Sequence, residues 1–209
     1  MYYNKCIIMK FGVLMKELLK GGGKLFLKTI VINLMCFFIV LSFSVITTML
    51  FKGAVGSKLS NSGMACFLIV SQIFAFCFTC GFIYPELWHI GTKDSNLLKF
   101  KHKSEDKFKG FKIGAVAIVP NYLFLVFLAI ARVGLFPKFP MALYKLLNSS
   151  VYSLIHVIVG SAVAVSELSA WRLALLFILP LIVPAIAGVS YILGYKNISL
   201  SEKFIYKKN

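Results

Sequence analysis

The chain has 209 residues, of which 59% are hydrophobic and only 14% are charged. A soluble domain of this length needs a far more polar surface, so the composition excludes that class. The net charge of +16 raises the question of nucleic acid. However, the aromatic residues lie in apolar runs away from the lysines, so we expect no nucleic-acid partner.

Charged residues are absent from five stretches of the chain, at 29–51, 59–85, 113–131, 146–166 and 173–195. About 20 apolar residues cross the hydrocarbon core of a bilayer as a helix, and lipid offers no partners to unpaired backbone groups. The sequence therefore predicts an all-α integral membrane protein. It predicts a single transmembrane domain over residues 29–195, with four transmembrane helices at about 29–51, 64–85, 113–131 and 173–195.

Residues 1–28 precede the first span and predict a basic amphipathic helix on the cytoplasmic membrane surface. Four lysines recur there at every fourth position, opposite apolar residues: Lys16, Lys20, Lys24 and Lys28. Such a helix lies in an anionic leaflet, which makes the lipid bilayer its expected partner. The glycines at 21–23 predict a bend into the first span. The run at 29–51 is too long for the apolar region of a signal peptide, so we expect it to be retained.

Lysine and arginine determine the expected orientation, because they concentrate on the cytoplasmic side of short loops. With both termini and the 86–112 connection in the cytoplasm, 17 basic residues lie inside and 6 outside. The basic tail at 196–209 is then cytoplasmic as well. Two cytoplasmic termini require an even number of spans. The Lys-, Ile- and Phe-rich composition is typical of multi-pass proteins in a bacterial plasma membrane.

Two spans contain amide side chains at the expected depth of the hydrocarbon core: Gln72 in the second and Asn121, beside Pro120, in the third. Each amide needs a hydrogen-bond partner there, so both are candidates for helix contacts or for a substrate path. The second span also contains Cys77 and Cys80. One Cys-x-x-Cys pair without further ligands is a weak metal signal, so we expect packing and no metal or cofactor.

The 86–112 connection predicts a basic cytoplasmic loop, with turn-forming residues at Gly91, Asp94, Asn96 and Gly110. Its lysines alternate with phenylalanines, an arrangement that suits a lipid surface. Contact with lipid headgroups or with a protein partner is expected for six of them: Lys99, Lys101, Lys103, Lys107, Lys109 and Lys112.

The outer segment at 132–172 is the weakest part of the four-span hypothesis, because its uncharged stretch 146–166 is long enough to cross. That stretch is also polar, with Asn148, His156 and several serines. We expect an interfacial or re-entrant segment, since irregular backbone is tolerated at membrane depth where protein or water covers it. The alternative is a protein of five spans with its C-terminus outside.

The last span contains Pro180, Pro184 and Gly188, spaced four residues apart. A proline inside a helix removes one backbone hydrogen bond and bends the helix. The spacing is therefore consistent with a hinge of the kind found in transporters or with a static kink.

Three functions are compatible with the sequence, and none of them assigns a catalytic residue. The first is a non-enzymatic membrane component that works with a partner, such as a transport-complex subunit or an accessory, assembly or immunity protein. The second is a self-contained carrier or channel for a neutral or apolar molecule. The third is a membrane enzyme acting on lipid-linked substrates, for which only Glu86, His89 and Asp94 come close together in the sequence. We expect the first.

Overall fold

The structure of the protein is a computed structural model, and it describes residues 2–55, 61–100, 106–134, 141–160 and 165–200. Within these ranges every regular element is a helix. There are seven α-helices, and three short 3₁₀ segments lie between the last four of them, at Ser149–Val151, Val165–Glu167 and Leu179–Leu181. The α-helices are α1 (Tyr2–Val55), α2 (Asn61–Lys99), α3 (Lys109–Arg132), α4 (Met141–Leu147), α5 (Tyr152–Val159), α6 (Ala170–Leu176) and α7 (Ile182–Tyr195).

Four helical segments in the described ranges are long and apolar enough to cross a membrane, which confirms the predicted all-helical class and four candidate spans. They are Met15–Thr47, Gly63–Lys99, Lys109–Arg132 and Ala170–Tyr195. The last one combines α6, a 3₁₀ segment and α7. Helices α4 and α5 form a bent pair, which makes a fifth crossing only if the pair is counted as one span.

Helix α1 is continuous through the three glycines at 21–23, where the sequence predicts a bend. The reason is packing against α3. The Ile113 side chain lies over Gly21, and a Cβ atom on Gly22 would collide with Val116. The glycines therefore allow α3 to approach closely, and the helix keeps its backbone hydrogen bonds.

Helix α2 is longer than predicted, because it continues to Lys99 through residues that were expected to form a loop. The predicted turns at Gly91, Asp94 and Asn96 are wrong, since all three residues are helical. Gly91 and Asp94 are buried against other helices, and this tertiary contact outweighs their turn preference. Gly110 lies in the first turn of α3.

The chain divides into two compact units. The first unit contains residues up to Leu27, Phe82–Pro120 and the residues from Leu181 onward. The second contains Lys28–Gly81 and Asn121–Pro180. Helices α1, α2 and α3 contribute to both units.

The first unit contains a close crossing of α2 and α7 at two glycines. A Cβ atom on Gly91 would collide with the backbone at Tyr191, and one on Gly194 would collide with the carbonyl group of Trp88. The Thr92 hydroxyl donates a hydrogen bond across the crossing to the Gly194 carbonyl, at 3.2 Å. Glycine here allows two backbones to touch and polar groups to bond between helices.

Helices α3 and α7 cross in the same unit, and Gly188 belongs to this contact. The ring of Phe111 occupies the space that a Cβ atom on Gly188 would need, while Pro184 packs on Gly114. Gly188 lies inside α7. Its lack of a side chain makes room for Phe111, and its role in a hinge stays a prediction.

Candidate functional site

The bent pair is an irregular part of the second unit. Helix α4 and the helical run Ser149–Val159 meet at 93° at Asn148. The Asn148 amide donates to the Tyr144 carbonyl at 3.2 Å, and the Ser149 hydroxyl donates to the Leu146 carbonyl at 2.6 Å. Local side chains thus satisfy carbonyl groups that the end of α4 exposes.

Ser150, just after the bend, is held by two amide side chains from other helices. Its backbone N–H donates to Asn33 Oδ1 of α1, at 3.0 Å. Its carbonyl accepts from Gln72 Nε2 of α2, at 3.0 Å. Both backbone groups of one residue are therefore paired by side chains, which is how irregular backbone is tolerated at membrane depth. Each such bond contributes about 0.6–2 kcal/mol.

Two serines lie next to these hydrogen bonds of Ser150. The hydroxyls of Ser71 and Ser153 are 3.0 Å apart, and both residues are almost completely buried. Ser71 also donates to the Phe67 carbonyl at 2.7 Å, so Ser153 is the donor between the two hydroxyls. Five of the uncharged polar residues around the bend are called the bend cluster below: Asn33, Ser71, Gln72, Ser150 and Ser153.

Several polar atoms in the second unit are buried without a hydrogen-bond partner among the described residues. Gln72 Oε1 belongs to the bend cluster, while the Tyr144 hydroxyl and His156 Nδ1 lie on the bent pair itself. A buried polar atom that stays unpaired costs about 1–3 kcal/mol. The bent pair therefore combines satisfied backbone groups with open side-chain positions.

The last span is also interrupted, and again a side chain from another helix pairs an exposed carbonyl. Helix α6 ends at Leu176 and α7 begins at Ile182, with Pro180 in the 3₁₀ segment between them. The Tyr122 hydroxyl of α3 donates to the Phe177 carbonyl at 2.9 Å. Pro184 is the third residue of α7, where a helix needs no backbone N–H donor.

The predicted amides in the second and third spans have different environments. Gln72 contacts the bent pair as described. Asn121 is half-buried. Pro120 is exposed and lies within α3, which continues as one helix to Arg132. The contact of Gln72 indicates a structural role, while roles for Asn121 and Pro120 stay predictions.

Lys109 is not a headgroup contact, because it is buried in the first unit with only 6% of its surface exposed. Its ammonium group lies 2.9 Å from Asp94 and 3.1 Å from Glu17. Asp94 Oδ2 also accepts a hydrogen bond from the Tyr191 hydroxyl, at 3.0 Å. This buried ion cluster joins α1, α2, α3 and α7.

The other lysines of the connection lie on the surface where they are described, and their predicted headgroup or partner contacts stay predictions. Lys99, Lys107 and Lys112 are exposed, and Lys112 forms an ion pair with Asp106 at 2.9 Å. Lys101 and Lys103 lie outside the described residues. Two large apolar side chains are exposed in the same region, Phe100 and Phe108.

The residues considered for enzyme chemistry each contact a different partner. Glu86 pairs with Lys24 at 3.0 Å, and Asp94 belongs to the buried ion cluster. His89 is exposed, with its ring against Trp88. Cys77 and Cys80 are free thiols, the first exposed and the second half-buried. Among the described residues, no three histidine, cysteine, aspartate or glutamate side chains lie close enough to hold a metal ion.

Sequence reasoning missed Asn33, the two serines and the buried ion cluster. Asn33 had the same signal as Gln72, an amide inside an apolar run, and the same rule would have found it. The serines and the ion cluster had no such signal, because their partners lie 15 to 97 residues away in the sequence.

Comparison of the chain with protein-family models, with curated proteins and with solved structures finds no match.

Proposed function

We propose that this chain is a non-enzymatic membrane component that works with a protein partner, as a subunit of a transport complex or as an accessory, assembly or immunity protein. The supporting observation is the distribution of charge in the first unit. Each acid described there pairs with a lysine: Glu17, Glu86, Asp94 and Asp106. Exposed lysines remain on several helices: Lys16, Lys20, Lys93, Lys99 and Lys196.

This positive surface complements an acidic protein surface or anionic headgroups. Phe100 is 72% exposed beside Lys99, and Phe108 is 66% exposed. Large aromatic side chains next to basic ones are typical anchors of a protein interface. The proposed docking surface is therefore the end of α2 together with residues 106–108, just before α3.

The proposed orientation follows the positive-inside rule and places this surface in the cytoplasm of a bacterial cell. Both termini are cytoplasmic in this proposal, four helices cross the plasma membrane, and the bent pair enters the outer leaflet without crossing it.

Purification of the tagged protein in a mild detergent tests the proposed partner. We expect a protein in stoichiometric amount with the wild type and its loss with Lys99→Glu combined with Phe100→Ser. The matched control is Lys16→Glu combined with Leu19→Ser, which changes another exposed lysine and another exposed apolar residue. Recovery of the chain alone, or equal recovery of the partner with both variants, would contradict the proposal.

A second candidate is a self-contained carrier or channel for a neutral molecule, and the bend cluster favours it. Discontinuous helices near a binding site are a recurring feature of transporters. Here both the bent pair and the last span are interrupted, and polar side chains from α1, α2 and α3 pair the exposed backbone groups. Loss of transport in Gln72→Leu with normal membrane insertion would support this candidate. Instability without a specific loss of transport would support a packing role.

A further inference from the structure

Gln72 has an acceptor atom that its protein surroundings leave open. The carbonyl of Ser150 can only accept, so the amide nitrogen of Gln72 must face it, and Oε1 must point away. Oε1 is buried, and no donor among the described residues contacts it. Ser153 donates its only proton to Ser71, which leaves acceptor lone pairs on a second buried oxygen. The bend cluster therefore offers acceptors to a donor.

Charge restricts which donor fits these acceptors. An anion is repelled by carbonyl and hydroxyl oxygens that have no proton left to donate. A cation needs a counter-charge at this depth. Glu167 is the only aspartate or glutamate in the sequence of the second unit, and it lies on a different element, the 3₁₀ segment Val165–Glu167. The chemistry that remains is an uncharged hydrogen-bond donor.

Two further buried polar atoms on the bent pair also lack a hydrogen-bond partner among the described residues. Tyr144 is only 1% exposed, yet its hydroxyl has no partner among the described residues. The same holds for the buried Nδ1 atom of His156. A buried polar atom that stays unpaired costs free energy, so a molecule that completes its hydrogen bonds is stabilised there.

We propose that the bend cluster is a hydrated binding site for a small uncharged molecule that donates hydrogen bonds, of the polyol or amide class. Gln72 accepts a hydrogen bond from this molecule, and Ser153 lies beside it. This inference deepens the second of the two proposed functions. Its test measures whether water and small solutes reach the bend cluster, and it does not measure transport. Failure of the site and failure of transport are therefore distinguishable.

The test compares two buried serines after Cys6, Cys36, Cys66, Cys77 and Cys80 have been replaced by alanine. Ser153→Cys places a thiol in the bend cluster. Ser190→Cys is the matched control, because Ser190 is equally buried, at 3% against 4%, and lies in α7. The probe is a small water-soluble methanethiosulfonate, which reacts with the thiolate form and therefore needs water at the sulfur.

We expect Ser153→Cys to react at least about tenfold faster than Ser190→Cys. A lowering of the thiol pKa by one unit raises the thiolate fraction, and with it the reaction rate, by about this factor. Glycerol or urea should abolish most of the Ser153→Cys rate in a saturable manner and leave the control unchanged. Equal rates for the two variants would overturn the proposal. Fast labelling that neither solute slows would also overturn it, since the cluster would then hold water only.

Discussion

The buried ion cluster around Lys109 supports a quantitative prediction about stability. The side chains of Lys109 and Asp94 are 7% and 8% exposed and lie 2.9 Å apart, whereas Glu17, the second partner of the lysine, is 45% exposed. Removing one partner of a buried pair costs about 3–5 kcal/mol, because the other charge stays buried without compensation. Asp94→Asn keeps the shape of the side chain and removes only its charge.

We expect Asp94→Asn to lower the free energy of unfolding by about 3 kcal/mol, at the low end of that range, because Glu17 still contacts Lys109. For a chain of this length, that corresponds to a fall of about 6–12 °C in the thermal midpoint. The midpoint is measured on purified protein in detergent. Asp106→Asn is the control, because Lys112, its partner, is half exposed, and such pairs contribute at most about 1 kcal/mol.

A double variant tests whether the cost comes from the uncompensated charge. Asp94→Asn combined with Lys109→Met removes both charges of the close pair, so the double variant should lose less stability than either single variant. Two results would refute the reasoning. One is a midpoint for Asp94→Asn no lower than that of Asp106→Asn, and the other is simple additivity in the double variant.

Three further predictions concern packing, the bent pair and orientation. Gly194→Ala should lower the free energy of unfolding by about 1–3 kcal/mol, because the new methyl group collides with the Trp88 carbonyl. The control Gly81→Ala has open space for its methyl group and should be neutral or stabilising. Equal thermal midpoints for the two variants would contradict this. Gln72→Leu should lower the free energy of unfolding by about 1–3 kcal/mol, because it leaves the Ser150 carbonyl unpaired. An unchanged thermal midpoint would show that this hydrogen bond does not contribute to stability. A reporter fused after Asn209 should give a cytoplasmic signal; an outside signal would favour five spans.

The candidate site was predictable only in part, and the reason is the range of the interactions. Gln72 was found because an amide in an apolar run needs a partner wherever it lies, and Asn33 carried the same signal. That both amides bond Ser150 depends on three segments about 40–120 residues apart in the sequence. No local pattern encodes that meeting.

The prediction of turns near the end of α2 was wrong for a related reason. Gly91 and Asp94 favour turns when only neighbouring residues are considered. In the folded chain, Gly91 makes room for α7, and Asp94 neutralises Lys109. These contacts stabilise a helix that local preference alone would have ended.

The sequence by itself determined the helical class and the four apolar segments. Both follow from the length of the uncharged runs and from the need of every backbone group in lipid for an internal partner. Tertiary structure alone decided that Lys109 is buried, that Gly188 makes room for Phe111, and that Ser150 is held from two sides. Burial and pairing are properties of residues that are distant in the chain, and only the packed helices bring them together.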